Sequence, residues 1–395
     1  MHSTVFSMHS TGAGRLLAGM TPRAFLARHW QRRPLLVRAA IEGFRGLLSP
    51  RELMRLACRD DAQSRVVVRH GRTWQVHHGP FKPSFFRRLG AQRWTLLVQD
   101  VNHFLPDAQA LLARFRFVPD ARLDDLMVSY APPGGGVGPH FDSYDVFLLQ
   151  GLGRRRWRVS AQRDLALVEG APLKLLARFR ATRDWVLAPG DMLYLPPRYA
   201  HDGEALDECM TYSIGFRAPA WQELASAFLA YLQDHQDHLE MRGVYADPGL
   251  KPTRHPARIG GDLLRQAQAQ LARIRWSRAE VLRFLGGWLT EPKAQVFFRA
   301  PKAPASRAVF LERARREGLV LSPKSRMLYA GGSVFINGEC EPAEATALRA
   351  LQALADAGSI RLTGREPAHL VELLQRWQRV GWLEFAMKRA QDEEA

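Results

Sequence analysis

Short apolar runs separated by turn residues dominate the first half of the chain. They lie at residues 65–68, 94–98, 126–130, 145–150, 156–159, 185–187, 192–195 and 210–216, with Pro-Gly and Gly-rich breaks between them. Many short strands at this density are typical of antiparallel β-structure. An amphipathic helix that stops before Pro34, followed by a short strand, precedes them. The sequence therefore predicts an antiparallel sandwich or barrel over residues 1–219, with residues 1–19 as a mobile tail.

Beyond Pro219 the apolar spacing becomes helical, and we predict a helical segment over residues 220–290. One stripe comprises Trp221, Leu224, Ala225, Phe228, Leu229 and Leu232, and a second comprises Leu263, Leu264, Ala267, Leu271 and Ile274. Ser277 and Glu280 have the spacing of a capping box and open a third helix. Since stripes of this width need a partner, we expect a symmetric homodimer, with Phe228 and Leu232 among the exposed positions. Packing against the barrel within one chain is the alternative.

The last hundred residues mix helices with a small hairpin. Asn337-Gly338 supplies the positive φ of a tight turn, and a helix from Pro342 to Ala357 is closed by Gly358. Residues 360–362 form a further candidate strand. These elements predict a winged-helix-like domain over residues 291–395 and an α+β chain overall. The helix offers few basic side chains to a DNA groove, which disfavours DNA reading by this domain.

Charge and cysteine content narrow the partners. The chain has 395 residues and a formal charge of +17, from 56 Lys+Arg against 39 Asp+Glu. Such a charge favours anionic partners, but the basic residues are scattered, so we expect nucleic acid only as a secondary partner. Three distant cysteines favour a reducing compartment, and no apolar run approaches the ~20 residues of a membrane span. We expect a cytoplasmic protein that does not enter membranes.

Candidate metal chemistry centres on His140-Phe141-Asp142, which follows a glycine-rich stretch. On an extended strand, residues two apart project to the same face, so one imidazole and one carboxylate can converge on one ion. His201, which follows a strand and the Pro196-Pro197 turn, can supply a third ligand. Two histidines and one carboxylate form the facial triad of non-haem Fe(II) oxygenases. The alternative, that both histidines are ordinary turn residues, does not account for this three-part context.

A 2-oxoglutarate co-substrate would need a cation for its distal carboxylate, preferably an arginine that grips it bidentately. Many such enzymes carry that arginine about ten residues past the distal histidine, but Thr211 occupies this position. The run Arg154-Arg155-Arg156 is the candidate source instead, and strand alternation lets one or two of its members point inward. A solvated basic strand is the competing interpretation of this run, and Arg217 is a further alternative.

Five parts of the sequence together resemble the JmjC-type ribosomal oxygenases of bacteria. They are the glycine-rich lead-in, the His140-Phe-Asp142 triplet, the Tyr144–Trp157 run, the Leu-Pro-Pro-x-x-x-His201 turn and the closing Tyr212–Pro219 stretch. The resemblance implies a double-stranded β-helix of the JmjC/cupin-like type, a helical dimerisation segment and a winged-helix-like end. It also implies Fe(II), 2-oxoglutarate and O₂ as cofactors and co-substrates. The implied metal and catalytic residues are His140, Asp142 and His201, and the implied 2-oxoglutarate site contains Arg155 and Ser129.

The activity implied by this resemblance is 3-hydroxylation of an arginine in protein sixteen of the large ribosomal subunit. Tyr144 and Asp145 are candidates for contacting the substrate guanidinium, although Asp145 is equally well interpreted as a plain strand-edge residue. Two alternatives remain: the same chemistry on a histidine or another side chain, and a basic ribosome- or nucleic-acid-binding regulator with a vestigial barrel. The complete ligand set together with Arg155 argues against a vestigial barrel, because a binding module has no chemical need for these residues.

Overall fold

The computed structural model describes residues 13–71, 73–90, 92–235 and 243–386. These residues form two compact units. The first contains the described residues up to 218 together with 292–325 and 359–386, and the second contains those of 219–291 together with 326–358. The boundaries 1–219, 220–290 and 291–395 remain a prediction.

The N-terminal half contributes eleven strands and five α-helices among the described residues. In chain order they are α1 (Ala13–Leu16), α2 (Pro22–Arg28), β1 (Leu35–Val37), α3 (Pro50–Leu56), β2 (Ser64–His70), β3 (Thr73–His78), α4 (Pro83–Leu89), β4 (Arg93–Val98), α5 (Pro106–Ala113), β5 (Leu123–Ala131), β6 (Val146–Leu152), β7 (Arg155–Ser160), β8 (Arg183–Leu187), β9 (Met192–Leu195), β10 (Ala200–Ala205) and β11 (Cys209–Phe216). A short 3-10 helix, Val101–His103, follows β4.

The C-terminal half adds, in chain order, α6 (Trp221–Asp234), α7 (Gly261–Leu271), α8 (Arg278–Thr290), α9 (Arg307–Arg316), β12 (Leu319–Leu321), β13 (Met327–Ala330), β14 (Ser333–Ile336), β15 (Glu339–Pro342), α10 (Ala345–Ala357), β16 (Ser359–Ile360), α11 (Ala368–Arg379) and β17 (Leu383–Phe385). No described helix has the length and apolar character needed to cross a membrane.

Two antiparallel sheets form the barrel. The larger has the strand order β1-β9-β6-β11-β5-β4-β2-β3 and the smaller has the order β10-β7-β8. Every strand run predicted for residues 65–216 corresponds to one of these strands, and the predicted antiparallel barrel is confirmed. Sequence reasoning missed β3 and β10, and β10 is the instructive case. Its residues, Ala200–Ala205, include three that are charged or titratable and one glycine, so they show no apolar alternation.

Strand β6 shows how alternation builds the barrel. Phe147 and Leu149 point to the large core cluster outside the sheet, which also contains Leu16 and Phe25 from the N-terminal segment. The alternate residues of β6 instead join Trp157 of β7 in a smaller cluster between the two sheets. Because both faces of β6 are covered, its sequence is a nearly continuous run of apolar residues.

The start of the ordered fold differs from the prediction. Leu16 and Leu17 are fully buried in the structure. The expectation of a mobile tail through residue 19 is therefore wrong for residues 13–19, because these two leucines bury apolar surface in the core. Residues 1–12 lie outside the part of the chain that the structure describes.

In the second unit, α6 turns its aromatic stripe inward. The ring of Phe228 lies 5.4 Å from that of Trp276 and 5.1 Å from that of Phe284, and Leu232 is buried. The expectation that Phe228 and Leu232 are exposed is therefore wrong, because α6 and α8 of this unit cover each other. Apolar side chains do remain exposed on other positions of α6 and α7, including Leu229 and Leu264.

The predicted hairpin and helices of the C-terminal part are present. Strands β13, β14 and β15 form one antiparallel sheet, with Asn337 at φ 51° and Gly338 at φ 92° in the turn. Both residues have the positive φ that a tight hairpin turn requires. Helix α10 starts at Ala345 rather than at Pro342, which belongs to β15, and ends at Ala357 with Gly358 as its C-cap, as predicted. The predicted strand at residues 360–362 is displaced to Ser359–Ile360 and pairs with β12 in the first unit.

Candidate active site

His140 and His201 are brought together by backbone pairing. The N–H of His140 donates to the carbonyl of His201 at 2.9 Å, and the N–H of His201 donates to the carbonyl of His140 at 2.8 Å. This single antiparallel bridge joins the segment before β6 to the start of β10. The predicted strand at His140–Asp142 is thus reduced to one bridge. His140, Asp142 and His201 nevertheless converge, with one ligand atom from each lying within 4.8 Å of the other two.

The hydrogen bonds of the two imidazoles define their tautomers. Nδ1 of His140 lies 2.8 Å from the carbonyl oxygen of Gly138, and Nδ1 of His201 lies 2.9 Å from that of Tyr199. A carbonyl can only accept, so both Nδ1 atoms donate and both Nε2 atoms keep a free lone pair. Nε2 of His201 is 3.7 Å from Oδ2 of Asp142. This donor set, oriented by outer hydrogen bonds, fits a divalent iron.

Burial keeps His201 neutral. Its side chain is 3% exposed. Loss of solvation, with a smaller contribution from the neighbouring His140, lowers the pKa of His201 to about 4. A neutral imidazole at physiological pH is the form that binds a metal ion.

Arg155 is a buried cation without a carboxylate partner among the described residues. It is 5% exposed, and its Nη1 donates to Ser129 Oγ at 3.2 Å and to Thr211 Oγ1 at 3.3 Å. Its Nε and the indole Nε1 of Trp157 are buried without hydrogen-bond partners in the described structure. Because unpaired buried charges are costly, this guanidinium fits the carboxylate of a bound dicarboxylic acid such as 2-oxoglutarate.

Trp157 connects this cation with the histidines. The guanidinium of Arg155 lies over its indole at 5.6 Å from the ring centroid, and the ring centroids of His201 and Trp157 are 5.8 Å apart. A Cβ added to Gly203, which pairs with Trp157 across β10 and β7, would lie 2.7 Å from the indole. Glycine is therefore required where the two strands approach around the ring.

The other arginines offered by the sequence are engaged elsewhere. Nε of Arg154 is 2.9 Å from Oδ2 of Asp207, and Arg156 makes an ion pair with Asp184. Nε of Arg217 is 3.3 Å from Oδ1 of Asp124. Of these four arginines, Arg155 is therefore the buried one without a carboxylate partner among the described residues.

A row of polar residues, only partly predicted from the sequence, lies beside Arg155. Thr211 on β11 lies opposite Ser129 on β5 and opposite Gln150 on β6. The Thr211 hydroxyl donates to Oε1 of Gln150 at 2.9 Å. The signal for this row is a buried glutamine within the apolar run of β6 and a buried threonine within that of β11.

Acidic side chains lie near Tyr144, which follows the metal ligand Asp142 by two residues. A Cβ built on Gly215 would lie 3.3 Å from Oδ1 of Asp125 and 4.0 Å from the Tyr144 ring, so both groups border Gly215. Oδ2 of Asp125 accepts from the backbone N–H of Asp100 at 3.0 Å, whereas Oδ1 has no donor among the described residues. Burial raises the pKa of Asp125 to about 7.

Asp145, the other acidic candidate, is fully occupied. It is buried, and its Oδ1 accepts from the Tyr194 hydroxyl at 2.6 Å. Its Oδ2 accepts from Gln31 and Arg122. Asp145 therefore joins the N-terminal segment to the start of β6 and has no free oxygen for a substrate.

Comparison with known proteins agrees with this geometry. The family model for the JmjC domain matches residues 110–224, and that for the ROXA-like winged helix matches residues 273–384. The chain is 38% identical over 320 residues to ribosomal protein uL16 3-hydroxylase of Escherichia coli, covering 80% of this chain and 84% of that protein. It is 40% identical over 205 residues to a probable ribosomal oxygenase of Haemophilus influenzae, covering 51% and 50% of the two chains.

Solved structures show the same fold. The X-ray structure of E. coli YcfD matches with a TM-score of 0.81 at 34% identity, covering 93% of this chain and 98% of that chain. A structure of the E. coli ribosomal oxygenase YcfD in complex with cobalt and 2-oxoglutarate matches with a TM-score of 0.78. The predicted double-stranded β-helix and winged-helix end are confirmed. By identity, coverage and fold, the chain belongs to the JmjC-type ribosomal oxygenases, which use Fe(II), 2-oxoglutarate and O₂.

Proposed function

We propose that this protein hydroxylates C3 of an arginine in ribosomal protein uL16, in the cytoplasm where ribosomes are assembled. The observation that carries the proposal is a buried guanidinium without a carboxylate partner, Arg155, next to a cluster of two histidines and one aspartate. The 38% identity to the E. coli uL16 3-hydroxylase supports this substrate class.

His140, Asp142 and His201 hold the iron in this proposal. The Nδ1 hydrogen bonds to the Gly138 and Tyr199 carbonyls orient both imidazoles and keep each Nε2 available to the metal. Three protein ligands leave coordination positions open for a co-substrate and a gas molecule. The bound metal centre supplies the oxidising power, with 2-oxoglutarate and O₂ as reactants.

Arg155 binds the distal carboxylate of 2-oxoglutarate. Its Nη1 is held by Ser129 and Thr211, which orients the guanidinium, and its unpaired Nε remains available for the co-substrate. The apolar ring of Trp157 separates this end of the pocket from His201. Burial of the guanidinium strengthens the ion pair with the co-substrate, because little water is present to screen it.

The substrate guanidinium is recognised at the acidic side of the site. Oδ1 of Asp125 is free of donors among the described residues, and Asp124 is partly exposed beside it. The Tyr144 ring, which borders Gly215 as Asp125 does, is 39% exposed and is a surface on which a planar guanidinium can stack. A cationic side chain that enters here therefore meets both a carboxylate and an aromatic wall.

A second copy of the chain covers the exposed apolar side chains of the helical segment in this proposal. Leu229 on α6 and Leu264 on α7 are 64% and 62% exposed, and Leu271 is equally open. An isologous dimer would bury such positions in both protomers at once. Contact with nucleic acid stays a secondary prediction, resting on the charge of +17.

Incubation of the full chain with Fe(II), 2-oxoglutarate, O₂ and a uL16 peptide tests the activity. We expect stoichiometric formation of succinate and of peptide that has gained one oxygen atom on arginine, read by tandem mass spectrometry. The same peptide with each arginine replaced by lysine is the control. Oxygen on a histidine would support the alternative target, and absence of peptide-dependent succinate would support the regulator with a vestigial barrel.

A further inference from the structure

The segment that follows α8 returns to the barrel and places a lysine among the carboxylates at the substrate side. Nζ of Lys293 is 2.8 Å from Oδ1 of Asp100 and 3.4 Å from Oδ1 of Asp124. Two residues later, Nε2 of Gln295 is 3.3 Å from Oδ2 of Asp100. All of these residues belong to the first compact unit. Lys293 therefore ties two acidic residues from different parts of the barrel to one ammonium group.

Asp100 transmits this contact to Asp125. Asp100 adopts a left-handed backbone conformation with φ 52°, uncommon for a residue other than glycine. In this conformation its N–H donates to Oδ2 of Asp125 at 3.0 Å. Lys293 and Gln295 hold the side chain of the same residue, so they support the conformation that orients the Asp125 carboxylate. The other oxygen of that carboxylate, Oδ1, borders Gly215, as the Tyr144 ring does.

Charge counting explains why a lysine is needed here. The cluster contains the carboxyl groups of Asp100, Asp124 and Asp125. Lys293 makes ion pairs with Asp100 and Asp124, and Arg217 makes one with Asp124. Two of the three carboxyl groups thus have a cation partner, whereas Asp125 makes no ion pair among the described residues and can take a further cation. Without Lys293, repulsion among the three carboxyl groups would favour protonation of one of them.

The titration behaviour agrees with this count. Burial alone would lower the pKa of Lys293, but Asp125, Asp124 and Asp100 together raise it above its usual value. Lys293 thus stays charged at neutral pH. Burial raises the pKa of Asp125 to about 7, and the Lys293 charge acts against that rise.

We propose that Lys293 is a positioning residue for the substrate: it orients Asp125 through Asp100 and holds Asp124, so that the cluster selects a guanidinium over a neutral side chain of the same shape. This inference rests on the proposed function for the identity of the cation. It extends the site beyond the barrel strands to the segment after α8, 193 residues from Asp100 along the chain.

Binding rather than turnover tests the inference first. Isothermal titration calorimetry on the full chain compares N-acetyl-arginine amide with N-acetyl-citrulline amide, its neutral analogue. We expect wild-type protein to prefer the arginine compound by roughly tenfold or more, as for a desolvated charge pair, and Lys293→Met to lose most of that preference. Lys293→Arg keeps the charge and should restore it in part. Equal preference in wild type and Lys293→Met overturns the inference, and so does a wild type with no preference.

Kinetics with the uL16 peptide provide a second readout. We expect Lys293→Met to raise the KM for peptide roughly tenfold while the KM for 2-oxoglutarate and peptide-independent 2-oxoglutarate turnover stay unchanged. A merely structural defect would also raise the KM for 2-oxoglutarate and lower the peptide-independent turnover. Lys302→Met, an exposed lysine of the same segment without a partner among the described residues, is the matched control.

The two proposals fail in different ways. If no arginine peptide is hydroxylated by wild type but the calorimetric preference depends on Lys293, the substrate assignment is wrong and the inference stands. If peptide is hydroxylated and Lys293→Met binds both amides like wild type, the inference is wrong and the proposed function stands. Circular dichroism of Lys293→Met and Lys293→Gln identifies a folding defect. If these variants are misfolded, the preference of Lys293→Arg for the arginine amide over the citrulline amide is the deciding measurement.

Discussion

His140 and His201 donate to each other's backbone carbonyls, at 2.9 and 2.8 Å, although 61 positions separate them in the sequence. This reciprocal pairing positions the two imidazoles independently of any metal, with ring centroids 4.2 Å apart. Backbone pairing therefore preorganises the two histidine ligands for iron.

Removal of one ligand should abolish turnover without unfolding the chain. We expect His140→Ala and Asp142→Ala to lose 2-oxoglutarate turnover and tight Fe(II) binding, because the backbone bridge and the core do not depend on these side chains. Succinate formation, iron titration and circular dichroism provide the measurements. The control is His78→Ala, an exposed histidine at the end of β3. Full activity in either ligand variant would sink the metal assignment.

Loss of the Arg155 guanidinium should weaken co-substrate binding. For Arg155→Ala we expect a loss of about 1.5–3 kcal/mol in 2-oxoglutarate binding, the range for hydrogen bonds to charged groups. Calorimetric titration of the anaerobic iron-loaded protein measures this. Arg156→Ala, whose partner is the exposed Asp184, is the matched control and should bind like wild type. An unchanged affinity in Arg155→Ala would transfer the role to another arginine.

Gly203→Ala tests the close approach of β10 to Trp157. The added methyl would lie 2.7 Å from the indole, so we expect the free energy of unfolding to fall by about 1–3 kcal/mol, as in overpacked cores. Gly249→Ala, where nothing lies within 4 Å, should change it by less than about 0.5 kcal/mol. Chemical denaturation compares the two. Equal stability of both variants would contradict the packing argument.

Asp61 should contribute stability that acid removes. The Arg59 hydrogen bond and the charges of Arg59 and Lys324 hold its pKa at about 2, below the ordinary value of 3.8. A depressed carboxyl pKa stabilises the fold above the unfolded-state pKa and loses that contribution as pH falls. We expect Asp61→Asn to lower stability at pH 7 by about 0.2–1 kcal/mol. The difference from wild type should shrink between pH 4 and pH 2.

The neighbouring Asp60 is the control for this pH dependence. It is exposed and has no hydrogen-bond or ion-pair partner among the described residues. Asp60→Asn should therefore match wild type across the same pH series of urea denaturation curves. A constant difference between Asp61→Asn and wild type from pH 7 to pH 2 would show that the ion pair is not its source.

Assembly can be tested at the exposed apolar positions of α6 and α7. We expect the wild type to have twice the chain mass in light scattering at micromolar concentration and the double variant Leu229→Glu, Leu264→Glu to have the mass of one chain. Val168→Glu changes an exposed apolar residue of the other unit and should leave the mass unchanged. A wild-type mass near one chain would reject the dimer.

The sequence predicted those parts of the site whose signal is local. His140 and Asp142 lie two residues apart, and the apolar runs around them locate the strands. Non-local features escaped prediction. No spacing rule connects Lys293 with Asp100, and the polar residues of β10 concealed a strand whose place is secured by its pairing with β7. Tertiary pairing overrides local propensity in such segments.

Helix α6 shows that packing partners, like other non-local contacts, could not be predicted from the sequence. Its apolar stripe was identified correctly, but the stripe alone does not say which of its residues a neighbouring helix covers. Phe228 contacts the aromatic rings of Trp276 and Phe284, whereas Leu229, one position further, faces outward. One residue corresponds to about 100° around a helix, so two adjacent apolar residues can belong to different surfaces.

The row formed by Ser129, Thr211 and Gln150 makes the co-substrate site depend on correct strand register. It exists only because β11 is in register with both β5 and β6 at Thr211. A slip of β11 by one residue would turn Thr211 to the opposite face and present an apolar neighbour to the Arg155 guanidinium. A misregistered chain could therefore still bury its hydrophobic strands, but it would not bind 2-oxoglutarate. Stabilisation of the protein by 2-oxoglutarate would thus show that the strands are correctly aligned.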